Sequence, residues 1–217
     1  MLGCPPFART LVLNALPLLF LASIAGAERP ELLFREDWKE TPAEIPVTQA
    51  HLTNSELTLH LHGPCKDLIK KSHHDRPADD PFYIWSGLCV SSNWAVSLEP
   101  HSGAFDLRGQ SKVCWRAKQS GFRVLRIIIQ LQNGDWLVSD VGDAASNDWR
   151  EREFIIANIQ WRKLNVELIA EEHPVLIDPD LSRVTQIGFT DLMIGAGSRA
   201  SSRLDWIEVY ASSSAPE

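Results

Sequence analysis

Period-two alternation of apolar and polar residues dominates a series of segments between residue 56 and residue 211, which commits the chain to strands, because that spacing places every second side chain on one sheet face. Residues 56–62 set Leu57, Leu59 and Leu61 against Thr58, His60 and His62. The same logic takes Trp94, Val96 and Leu98 as one face, and Val113, Trp115 and Ala117 as another within residues 112–118. In the longest segment Leu125, Ile127, Ile129 and Leu131 form an apolar face, while Val124, Arg126, Ile128, Gln130 and Gln132 form a mixed one. Asn133 and Gly134 then turn the chain into a strand that starts at Trp136, a strong hairpin signal. Residues 152–156, 163–169, 185–190 and 203–211 bring the expectation to about nine strands. No helix-length amphipathic segment separates them, so the predicted fold is all-β, a two-sheet antiparallel sandwich. Residues 178–182 have room for one helical turn, and residues 64–80 are the least patterned part. Long loops of that kind often carry function.

The N-terminus reads as an export signal. Arg9 is the only charge in residues 1–27, and an apolar run spans Leu11 to Ile24. About 14 residues fall short of the roughly 20 that cross a bilayer. Ala25, Gly26 and Ala27 supply a small-x-small cleavage pattern. An uncleaved anchor is the alternative; Cys4 precedes the apolar run, which does not suit a lipoprotein. The expected organisation is a signal peptide at 1–27, one domain at 28–211 and a disordered Ser-rich tail at 212–217. The product is expected to be secreted or periplasmic.

Twenty-one basic residues against 28 acidic ones give a net charge of −7, with Lys and Arg scattered. That balance argues against nucleic acid and against a membrane surface after signal removal, both of which favour clustered positive charge. A neutral ligand fits better. Beyond Cys4 the chain holds Cys65, Cys89 and Cys114, an odd number. Cys65 and Cys89 flank a polar, Pro-containing stretch that a disulfide would restrain, whereas Cys114 sits in a strand pattern. Three buried thiols are the other reading.

Residues Asp180, Leu181, Ser182, Arg183 and Val184, then Ile187, Gly188 and Phe189, then Leu204, Asp205, Trp206, Ile207, Glu208, Val209 and Tyr210 resemble the C-terminal half of galactose-binding-like jelly rolls. They are similar in particular to the complex I intermediate-associated type and to carbohydrate-binding modules. Asp106, Leu107, Arg108 and Gly109, leading to Val113, Cys114, Trp115 and Arg116, resemble an earlier step of the same domains. The resemblance covers about half of the chain beyond residue 27, implies a jelly roll and favours a glycan or polysaccharide partner. It also implies a possible structural calcium, for which Glu36, Asp37 and Asp205 match by position; no other cofactor is required. Residues 80–87 match no module.

A glycan site combines aromatic rings with polar groups that bond hydroxyls. The expected polar part is Arg126, Gln130 and Gln132, with Arg116 on a neighbouring strand; Tyr83, Trp85 and Trp136 supply rings. Core packing is the competing role for any Trp in a sandwich. His60 and His62 share a strand face, and His73, His74 and Asp75 lie in the unpatterned loop with Cys65, which admits a zinc site or a glycan hydrolase or lyase. Glu151 with Glu153, and Asp140 with Asp143, read better as charged strand faces than as a glycosidase pair. No G-x-S-x-G elbow is present. Residues 195–200 fit G-x-G-x-x-A but lead into a strand, so they do not bind a dinucleotide. The expected function is non-catalytic carbohydrate binding; a protein-binding assembly module is the remaining alternative.

Overall fold

Where the alternation is clean, the chain is extended and one face is buried. The computed structural model describes residues 29–73 and 81–213. The export segment, His74 and Asp75 lie outside the described residues. The strands are β1 (Glu31–Glu36), β2 (Leu57–His62), β3 (Lys70–Ser72), β4 (Tyr83–Trp85), β5 (Trp94–Pro100), β6 (Phe105–Asp106), β7 (Lys112–Gln119), β8 (Leu125–Leu131), β9 (Trp136–Asp143), β10 (Arg150–Ile155), β11 (Trp161–Asn165), β12 (Ala170–Glu171), β13 (Val184–Asp191) and β14 (Ser202–Ser213). β14 thus runs two residues past the expected domain end at 211.

The first sheet runs β10-β7-β14-β4-β3, with β1 also paired to β14. The second runs β2-β5-β13-β8-β9-β11-β12, and short β6 pairs with both β13 and β14 to join the two. All pairings are antiparallel; β3–β4, β8–β9 and β11–β12 are hairpins within a sheet, and other connections, such as β4 to β5, β7 to β8 and β13 to β14, cross between sheets. This is a jelly-roll sandwich. Val113, Trp115, Ile207 and Val209 of one sheet face Val96, Leu98, Ile127, Ile129, Ile187 and Phe189 of the other in the buried core.

Strands without a legible period are those that are short or bulged. β3, β4, β6 and β12 have two or three residues each. β1 carries a bulge between Leu32 and Phe34 that breaks its alternation. The expected strand at 163–169 instead ends at Asn165 and doubles back, with Ile169 at φ 52°. Residues 181 and 182 form a turn.

The free edge of β2 is blocked by a side chain. Gln49 Nε2 donates to Leu57 O at 2.7 Å, and Leu59 N donates to Gln49 Oε1 at 2.8 Å, so the amide mimics one residue of a neighbouring strand. Replacing Gln49 with Ala removes both bonds. Urea unfolding should show a loss of about 1–2 kcal/mol; no loss would mean that water serves the edge equally well.

Candidate functional site

An open cleft of about 850 Å³ lies on the outer face of the first sheet. Its walls come from β1 and the turn after it (Arg35, Asp37, Trp38), from β7 (Arg116), from β14 (Asp205, Trp206) and from His73 and Phe82. A bulge in β14 builds it. Leu204 pairs with Ala117 and Trp206 with Arg116, which leaves Asp205 as the extra residue. The added residue re-aims the chain, so consecutive Asp205 and Trp206 both line the cleft where regular alternation would place them on opposite faces.

Two carboxylate–guanidinium pairs stand beside the Trp206 ring. Arg35 Nε donates to both Asp37 oxygens at 2.9 and 2.8 Å, and its Nη1 donates to Glu208 at 2.6 Å. The Arg35 guanidinium also lies 4.5 Å from the Trp206 ring centre. Arg116 Nη1 donates to Asp205 Oδ2 at 2.7 Å. Burial pushes the Asp205 carboxyl up to about 6, against the opposing pull of Arg116. A carboxylate held in a cleft at that cost marks a functional candidate.

The turn behind this wall is strained. Trp38 is buried at φ 57° and its indole N–H meets no partner among the described residues. The buried Glu36 carboxylate holds the turn by accepting from the N–H groups of Trp38, Thr53 and Asn54 at 2.7, 2.8 and 2.9 Å. Burial raises the Glu36 carboxyl despite these three donors. On the opposite wall the His73 ring stacks on Phe82 at 4.0 Å.

These contacts do not fit calcium. Asp37 faces Arg35, Asp205 faces Arg116, and Glu36 is taken up by backbone donors, whereas Ca²⁺ needs about six to eight free oxygens. Among the described residues no group of three or more His, Cys, Asp or Glu side chains is arranged to hold a metal. Cys65 cannot serve a zinc site either, because it is bonded to Cys89 with the Cα atoms 5.7 Å apart. Cys114 is a free thiol.

The sequence-predicted ligand residues separate onto opposite faces of the molecule. Arg116 is in the cleft on β7, but Arg126, Gln130 and Trp136 lie on the outer face of the second sheet. The turn at Gly121, φ 61°, carries the chain from one sheet to the other, so Arg116 and Arg126 are not neighbours. Tyr83 is buried with its ring 5.3 Å from Trp149, which in turn lies 5.6 Å from the Arg116 guanidinium. Trp85 folds over Gly87, where an added Cβ would sit 1.9 Å from the indole. Both rings are engaged by their own chain, Tyr83 buried and Trp85 half-buried. Arg126 is tied to Glu171 at 3.1 Å and Gln130 accepts from Thr185 at 3.3 Å.

Trp136 is also buried, and its contact shows how this second face is shaped. Its ring meets His62 at 4.8 Å although β5, β13 and β8 lie between their strands. A flat sheet would separate them by about 19 Å, so the face curls into a trough. Gly188 forms part of its floor, where a Cβ would sit 2.0 Å from Val96 O. Its β2 rim is closed by cross-strand bonds, His60 to Glu99 at 2.7 Å and His62 to Ser97 at 2.8 Å. Leu164 and Ile169 of the β11–β12 hairpin pack on Ala95, Ile128 and Val138 and cover much of the rest.

The sequence matches no family model and no curated protein. Solved structures do match. A family 11 carbohydrate-binding module from Clostridium thermocellum in complex with a β-1,3-1,4-mixed-linked tetrasaccharide is 12% identical, with 82% of this chain and 100% of that chain covered at a TM-score of 0.45. A family 29 carbohydrate-binding module variant complexed with cellulohexaose is 15% identical, with 78% and 92% covered and a TM-score of 0.43. The chain is similar to carbohydrate-binding modules. At these values the likeness assigns neither ligand nor site.

Proposed function

We propose that this chain is an exported, non-catalytic carbohydrate-binding protein whose site is the cleft on the first sheet. The observation that carries the reading is the bulge that sets Trp206 and Asp205 side by side, next to Arg116 and the Arg35–Asp37 pair. An indole complements the apolar C–H face of a sugar, and paired carboxylates and guanidinium groups complement its hydroxyls. The pairs neutralise one another, which suits a neutral glycan. The Cys65–Cys89 bond and the leader-like residues 1–27 support export, since disulfides persist in oxidising compartments.

Trp206→Ala should weaken retention on soluble and insoluble polysaccharides about tenfold or more, with the melting temperature preserved because the ring is only half-buried. Unchanged affinity, or no glycan bound by the parent protein, overturns the reading.

Asp205 and Asp37 also favour a second reading, a glycan hydrolase. Two carboxyls in one cleft, one of them raised, are the raw material of an acid and a nucleophile. Release of reducing sugar by the parent protein and its loss in Asp205→Asn would establish that alternative. His60 and His62, engaged with Glu99 and Ser97, offer less to chemistry.

A further inference from the structure

At one end of the sandwich the chain crosses between the sheets from β2 to β3, β4 to β5, β7 to β8, β9 to β10 and β13 to β14. Four of these five crossings expose a large apolar side chain: Leu68, Leu88, Phe122, and the adjacent Met193 and Ile194, with exposures from 37% to 60%. They are braced from beneath. The Arg123 guanidinium donates to Cys89 O at 3.3 Å, to Ala200 O at 3.0 Å and to Met193 O, and it lies 5.1 Å from the Phe122 ring. Three crossings therefore converge on a single buried side chain, and the Cys65–Cys89 bond ties in the fourth. So braced, the backbones of these crossings are held beside one another.

We propose that this end of the molecule docks on a lipid bilayer surface, with Phe122, Met193 and Ile194 entering the interface. The charge pattern favours lipid. In a chain with 28 acidic residues, loops 86–93, 120–124 and 192–201, which carry Leu88, Phe122, Met193 and Ile194, contain neither Asp nor Glu; their one exposed charge is Arg199, since Arg123 is buried against Asp191, while the Leu68 crossing adds the exposed pair Lys66 and Asp67 and the β9–β10 crossing adds Asp148. Gly and Ser make up much of the remainder and add no charge to desolvate. Scattered positive charge argues against electrostatic membrane binding, but apolar insertion does not depend on clustered Lys and Arg. The proposal uses residues apart from the cleft and stands whether or not the cleft binds glycan.

The test is sedimentation of the full chain with vesicles of phosphatidylcholine, alone and mixed with phosphatidylglycerol. The parent protein should pellet with both, and high salt should leave most of it bound. Phe122→Ser combined with Ile194→Ser should reduce partitioning at least about tenfold. Leu168→Ser combined with Val175→Ser, which changes exposed apolar residues elsewhere, should partition like the parent. Equal binding by the tip variant, or no binding by the parent, overturns the proposal. So does a parent dimer that the tip variant dissolves, because the tips then serve a second copy of the chain.

Discussion

Asp191→Ala should lower the unfolding free energy by about 3–5 kcal/mol, the range for breaking a buried ion pair from one side. Asp191 and Arg123 have side-chain exposures of 0% and 1%. Asp191 accepts from Arg123 Nη1 at 3.3 Å, from Met193 N at 2.9 Å and from Ser202 Oγ at 3.2 Å. Deleting the carboxylate leaves a guanidinium in the interior with carbonyls as its remaining partners. The reverse change, Arg123→Ala, should become milder as pH falls, because burial already raises the Asp191 carboxyl and protonation relieves the stranded charge. Urea unfolding of the two variants at two pH values separates these effects. A loss below about 1 kcal/mol for Asp191→Ala, the size of a surface pair, would show that the crossings hold together without the ion pair.

Asp205→Asn should move stability the other way. The Asp205 carboxyl is raised from 3.8 to about 6 in the folded protein, so the folded state holds its proton more tightly than the unfolded chain. Its favourable contribution is fully present below the unfolded value and is lost as pH rises through about 6. The gap corresponds to roughly 3 kcal/mol between pH 4 and neutrality. Asn carries no charge to bury, so the variant should be more stable than the parent by about 1–3 kcal/mol above pH 7, less whatever Arg116 loses with its acceptor, and the two should converge near pH 4. In the cleft reading the same variant binds glycan more weakly, and parent binding falls as pH drops through about 6. Parallel stability curves for parent and variant across that window would show that Asp205 titrates in its ordinary range. A more stable but weaker-binding variant would identify a group retained for its ligand.

The long strands are legible because each has one apolar face in unbroken register, as in Val113, Trp115 and Ala117 or Ile127 and Ile129. The cleft is not legible in the same way. Its members Arg35, Arg116 and Trp206 are far apart in the chain and meet only because β1 and β7 flank β14. One local signal does exist. The apolar positions Leu204, Ile207 and Val209 change phase between 204 and 207, and that slip is the bulge that turns Asp205 toward the cleft. Uniform alternation is also why Arg116 and Arg126 read as neighbours, since periodicity reports which face a residue takes but not which sheet it joins. Trp85 and Trp136 are placed by contacts no spacing reveals, because their rings fold onto Gly87 and His62.

The pairing of β1 with β14 has a mechanical consequence. Glu31 lies opposite Ala211, so both ends of the described chain leave side by side, at the pole opposite the apolar crossings. A load pulling on residues 31 and 211 would act from that one side, along two paired strands. The crossings stay clear of it, and the cleft, flanking those strands, rides between load and tip.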